Sequence, residues 1–218
     1  MANNTFANLQ VRAREYLNEA TAASWTDVEL KAWLNLEKNT LALNLINIDA
    51  SYLLATPALV NTEAGTAEYS LPSGYARIRL VERNDVTPPI PLLKVDIERR
   101  FLYDDNSRMS IRGTDPVYYL AGEKIGLIPT PTEGRTGYLK IHYNALPADM
   151  VNSSDTSGLP EILDEVLILG AVIRAGAKYD EGWLGTFAAM HGQVKAQKMA
   201  MLGSRVAGGR GVRVTDTY

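Results

Sequence analysis

Apolar side chains recur at helical spacing at both ends of the chain and at every second position in its middle. In residues 4–20, Phe6, Leu9, Val11, Ala13, Tyr16 and Leu17 fall on one helix face. Ser24-Trp25-Thr26-Asp27-Val28-Glu29-Leu30 then carries a helix start. Thr26 and Glu29 fit a capping box, and Trp25 and Leu30 stand where a hydrophobic staple would lie. The helix that follows carries Leu30, Trp33, Leu34, Leu41, Leu45 and Ile48 on one stripe, interrupted by Glu37. Both tryptophans read as core anchors before they read as recognition residues.

From Ala58 the period drops to two. Leu59–Thr62 and Ala67–Leu71 flank Glu63-Ala64-Gly65-Thr66, which reads as a hairpin loop. Arg77–Arg83 alternates charged and apolar positions, as a half-buried antiparallel strand does. Thr87–Pro91 is a stiff extended connection, and Val95–Tyr103 a short helix. Val117–Ala121 and Lys124–Ile128 form a second hairpin about Gly122-Glu123, and Gly137–Tyr143 a further strand. Prolines at 72, 129, 131 and 147 mark strand ends, because proline cannot donate to a ladder. Asn152–Gly158 is a polar loop. Pro160 opens a helix whose early acids, Glu161, Asp164 and Glu165, complement its dipole. Its run Val166–Ile173 is apolar nearly all round. After a break within Gly176–Gly185, Phe187–Leu202 forms a last helix with Lys195 and Lys198 on its wet side.

The pattern predicts an α+β fold, an α-helical bundle with an inserted small antiparallel β-domain and an extended C-terminal arm. Residues 1–56 supply the N-terminal helices of the bundle, 57–158 the β-rich insertion, 159–202 the C-terminal helices and 203–218 the arm. The arm holds Gly203, Gly208, Gly209 and Gly211 and has no helical period. Two readings stand side by side: a disordered tail, or a segment that orders on a partner, since Val212-Arg213-Val214-Thr215 has the alternation for β-augmentation.

The 218-residue chain has a formal net charge of −3, which argues against a general nucleic-acid binder. It has no cysteine, so disulfides and thiolate-bound zinc are excluded. The start of the chain lacks the pattern of a secretory leader, and the longest apolar run, Val166–Ile173, is far short of the about 20 residues a membrane span needs. A soluble intracellular protein is the expectation. His142 and His191 have no second ligand or base at motif spacing, and Gly208-Gly209-Arg210-Gly211 lacks the ending of a phosphate-binding loop. Glu161, Asp164 and Glu165 admit a paired-acid reading, with Glu161 and Glu165 on one helix face, but first-turn acids explain them as well. No catalytic, cofactor-binding or metal-ligating residue is expected, and no cofactor.

The order of these pieces resembles the head–tail adaptor (connector) proteins of tailed bacteriophages, among them the tail accessory factor of short-tailed phages. The matching features are the Trp-bearing helix Trp25–Ile48, then Tyr69-Ser70-Leu71-Pro72, then Ile125-Gly126-Leu127-Ile128-Pro129-Thr130-Pro131. Tyr143–Pro147, Leu159-Pro160 with its apolar helix, a second helix and the loose C-terminal stretch complete the series. The resemblance implies a ring of about twelve copies of the chain beneath a portal protein. Its other implied partner is a downstream tail or nozzle protein. DNA would pass through the ring without specific binding, no membrane is involved, and the site is the head–tail junction of a virion made in the bacterial cytoplasm. The arm would dock on the portal, with Arg205, Arg210 and Arg213 as donors, Val212 and Val214 on one side of an added strand, and Tyr218 as an anchor. The alternatives are a cell-wall hydrolase using Glu161 or a neighbour, and another virion ring protein of the stopper or tail-completion kind.

Overall fold

The computed structural model describes residues 4–19, 24–49, 51–103, 115–178 and 182–207. Among these residues four α-helices, α1 (Phe6–Tyr16), α2 (Asp27–Ile48), α3 (Asp164–Ala177) and α4 (Leu184–Ala207), enclose in sequence eight strands. These are β1 (Ala58–Thr62), β2 (Glu68–Ser70), β3 (Tyr75–Arg83), β4 (Ile90–Pro91), β5 (Leu93–Lys94), β6 (Val117–Ala121), β7 (Lys124–Ile128) and β8 (Arg135–Ala145). The fold is α+β, and the contacts divide it into a helical unit, residues 1–53 with 146–218, and a β-unit, residues 54–145.

In the helical unit, local chemistry sets the helix starts. Thr5 caps α1 through Asn8 N–H, and Thr26 and Glu29 form the complete capping box of α2. Helix α3 is central. Val166–Val172 are all buried, against α1, α2 and α4. From α2 come Leu30, Leu34, Leu41 and Leu45, each with no exposed surface, and from α1 Phe6, Leu9 and Ala13. Trp25 is buried in the same core and its indole N–H donates to Ala175 O at 3.0 Å, which ties the start of α2 to the end of α3.

Residues 146–158 belong with the helices, although their polar, proline-bearing sequence reads as part of the β-region. The partners that hold them are distant in sequence. Met150 is fully buried in the helical core, and the Asn35 amide brackets its backbone, donating to Met150 O and accepting from Met150 N. Lys38 is wholly buried and donates to Pro147 O, Ala148 O and Asp149 Oδ1. Asp155 O and Ser153 O accept from Phe6 N and Ala7 N, so this loop satisfies two orphan donors of α1.

The β-unit holds two four-stranded sheets, ordered β1-β8-β3-β4 and β2-β7-β6-β5. The hairpin at Gly122-Glu123 is as expected, with Ala121 opposite Lys124 and Gly122 at φ +58°, where a type II′ turn places its glycine. Strand β3 spans the alternating Arg77–Arg83 segment, and β8 covers Gly137–Tyr143. The hairpin expected about Glu63–Thr66 does not form. There β1 pairs with β8 in one sheet and β2 with β7 in the other. The chain changes sheets at this loop: Gly65 N–H donates to Pro131 O, and the Tyr69 hydroxyl donates to Thr66 O while accepting from Glu63 N. The unit is also not wholly antiparallel, since β5 runs parallel to β6. The helix expected over Val95–Tyr103 is a 3-10 helix over Ile97–Tyr103; Val95 is held by a bond from its N–H to Tyr118 O.

One face of the second sheet shares a core with the first, through Tyr69, Tyr118, Ile125, Leu127, Val81, Leu139 and Ile141. Its other face buries Val117, Tyr119 and Ile128 beneath Tyr103 of the 3-10 helix. Burial on both faces explains why β6 and β7 read as continuous apolar runs. Gly126 is required by packing, because a Cβ there would stand 2.1 Å from the Tyr119 ring.

Candidate functional site

Among the described residues no group of His, Asp and Glu side chains is placed to hold a metal ion. The two histidines each face a different carboxylate. His142 Nε2 lies 2.9 Å from Glu82 Oε2 across β8 and β3. His191 Nε2, on α4, lies 3.4 Å from Glu37 Oε1, whose other oxygen accepts from Arg174 at 3.1 Å. Glu37, which interrupts the apolar stripe of α2, is thus the shared carboxylate of a buried cluster from three helices. Gly170 makes room for it: a Cβ there would come within 2.5 Å of the Glu37 side chain. Burial pushes the Glu37 pKa up, but hydrogen bonds from His191 and Arg174 outweigh it and hold the carboxyl below its ordinary value.

The three acids at the start of α3 are dispersed. Asp164 is buried and accepts from the Asn4 side-chain amide at 2.8 Å; burial raises its pKa. Glu165 faces Lys198 of α4 at 3.8 Å, while Glu161 is exposed. The acids therefore dock the N-terminal segment and α4 against α3, and Glu161 stands apart.

A run that is apolar nearly all round, as Val166–Ile173 is, is a natural source of apolar surface for a partner. It is instead the covered centre of the helical unit, because α3 packs against three other helices. The surplus lies on α2. Val28 is 76% exposed, Leu36 50% and Leu43 46%. Ala32 and Asn47 complete this outward face, which carries no charge. Sequence pattern alone hid it, because α2 is apolar on both sides and the inner stripe is the more regular.

The segment expected to be an arm begins inside a helix. Helix α4 runs on through Gly203 and Ser204 to Ala207, so Arg205 lies on its last turns. Leu202 is buried, the Tyr52 hydroxyl donates to its carbonyl at 3.3 Å, and the Ser204 hydroxyl donates to Met201 O. These contacts offset the poor helix propensity of Gly203. Arg210, Val212, Arg213, Val214 and Tyr218 lie outside the described residues.

The family model described as SU10 adaptor protein matches residues 4–214. The chain belongs to that family. The match covers both units and reaches into the glycine-rich C-terminal stretch, so neither unit stands outside it. No curated protein matches the chain. As an adaptor of this family, the protein is a structural component of a phage virion. No described helix is long and apolar enough to cross a membrane.

Proposed function

We propose that this adaptor is the head–tail connector of its phage: about twelve copies form a ring beneath the portal, join it to the tail or nozzle, and leave a channel for DNA. The observation that carries the reading is the family match over residues 4–214. Other features agree with it. A net charge of −3 suits a channel that must not grip phosphate. The uncharged outer face of α2 is surface that an isolated helical unit has no reason to keep apolar. In this reading Arg205, Arg210 and Arg213 donate charge-assisted hydrogen bonds to the portal, Val212 and Val214 line one side of an added strand, and Tyr218 anchors it. Free in solution, the chain is a folded monomer or small oligomer that closes into a ring on the portal.

The test is a chain ending at Ala207, mixed with the phage's portal protein and imaged by electron cryomicroscopy. Full-length chain should decorate the portal with a ring. The shortened chain should melt within about two degrees of it, since no described core residue is removed, and should leave the portal bare. A shortened chain that still forms the ring would move the docking surface from the arm to the helices.

A further inference from the structure

Gly192 is an unexpected residue for the middle of a 24-residue helix, where glycine weakens the structure. Nothing within the unit requires it, because nothing lies within 4 Å of the position its Cβ would take. It borders an open groove of about 500 Å³, lined from α4 by Gly192, Ala196 and Met199 and from α2 by Asn44, Asn47 and Ile48. The one charge on the lining is Lys195, which has no ion pair among the described residues. Small residues at 192 and 196, one helical turn apart, let another backbone come close. The groove also adjoins the uncharged outer face of α2 through Asn47.

The same unit carries a matching ridge. On α1, Asn8, Val11 and Glu15 are all exposed and fall at i, i+3 and i+7, one stripe of a helix. Val11 is 56% exposed, and Glu15 has no ion pair among the described residues. Arg12 lies about 100° round the helix from Val11 and about 60° from Glu15. From Val11 to Glu15 and from Gly192 to Ala196 the separation is the same, four residues or about 6 Å. The ridge offers one apolar side chain and one acid; the groove offers an apolar floor and one lysine.

We propose that the α2–α4 groove receives helix α1 of the next copy, with Val11 against Gly192 and Ala196 and Glu15 paired to Lys195. The inference rests on the ring reading above, and names its contact. The two surfaces are different patches of one chain, so the contact is heterologous and propagates head to tail, as a ring requires and a two-fold dimer does not.

The absence of cysteine makes the test clean. A Val11→Cys, Ala196→Cys double variant under mild oxidation should yield a covalent ladder beyond the dimer, because trapping accumulates even a weak contact. An equal mixture of the two single variants should stop at the dimer, and each alone should stay at the background of unmixed chain. Gly192→Leu, whose Cβ would meet nothing within 4 Å, should occupy the groove and remove the ladder while the melting curve stays cooperative. Glu15→Lys should suppress trapping and Lys195→Glu in the same chain should restore it. Single variants that dimerise as readily as the mixture would refute the head-to-tail contact. No ladder from a chain that still forms rings on the portal would refute this groove and leave the ring reading standing. No ladder and no ring would overturn both.

Discussion

Replacing Glu37 by glutamine keeps the shape of the buried cluster and removes its only negative charge. Arg174 and His191 then face an amide instead of a carboxylate, at positions now 3.1 and 3.4 Å from its oxygens. Breaking a buried pair can cost 3–5 kcal/mol, as a general magnitude, when the remaining charge stays buried. Here the Arg174 side chain is 36% exposed and can turn to water. The expected loss is therefore lower, about 2 kcal/mol, chiefly the weakened charge-assisted hydrogen bonds. For a chain of this length that is a fall in Tm of about 4–8 °C. The pH dependence gives the sharper test. The folded pKa of Glu37 is depressed, so its ionisation adds stability that is complete above the ordinary carboxylate pKa and is lost as pH falls through the folded value. Urea midpoints followed by circular dichroism should show the wild type ahead of Glu37→Gln at neutral pH. That lead should shrink as pH falls below the ordinary carboxylate range, where the carboxyl takes up the proton. A lead as large at the acid end as at neutral pH would refute the reasoning, for the glutamine would then be disturbing packing and not charge. A double-mutant cycle with Arg174→Met should return coupling with the sign of an attraction.

Three further outcomes follow from particular contacts. Gly126→Ala should destabilise the β-unit by about 1–3 kcal/mol, because the new methyl meets the Tyr119 ring; thermal melting followed by circular dichroism reports it, and an unchanged melting curve would show that the ring moves freely. Thr26→Ala should cost about 1 kcal/mol through loss of the α2 cap, and the Glu29 carboxyl, held down to about 2 by its hydrogen bonds with Lys178 and Thr26, should move back towards the ordinary carboxylate range when NMR follows its titration. Wild-type chain should clear no zone on a peptidoglycan gel; a zone that disappears with Glu161→Gln would establish the hydrolase reading in place of a purely structural role.

What the sequence made legible is what short-range chemistry decides. Thr26 and Glu29 sit three residues apart and form their box whatever else the chain does. The β6–β7 hairpin rests on a two-residue turn with glycine at its first position. The Glu63–Thr66 loop has the same outward look, but the destination of its strands is set by Pro131 and by the Tyr69 hydroxyl, and neither is visible in a local pattern. Glu37 and Lys38 interrupt a leucine stripe like surface charges. They are buried because their partners arrive from beyond residue 146: Arg174 and His191 for one, the Pro147 and Ala148 carbonyls and the Asp149 side chain for the other. The end of α4 was hidden for the opposite reason. Gly203 and Ser204 look like a helix stop, and it is Tyr52, 150 residues away, that holds the turn. The family was legible from the order of proline-stopped strands and flanking helices, although each motif is weak alone. The groove was not, since it is made of small residues whose meaning lies in the space beside them.

The β-unit leaves and re-enters the helical sequence through two segments that are paired with each other. Leu54 bridges to Asn144, and Ala55 N–H donates to Tyr143 O at 3.0 Å. The two ends of a 92-residue excursion, 54 to 145, therefore stand one strand spacing apart, about 5 Å. A cassette with adjoining ends can be exchanged without lengthening the connections on either side. Recombination between phages could replace everything from 54 to 145 and preserve the helices around it, and so could a designer. An excised chain with Leu53 joined to Leu146 by a short glycine linker, and the β-unit expressed alone with its paired ends, are the two halves of that exchange.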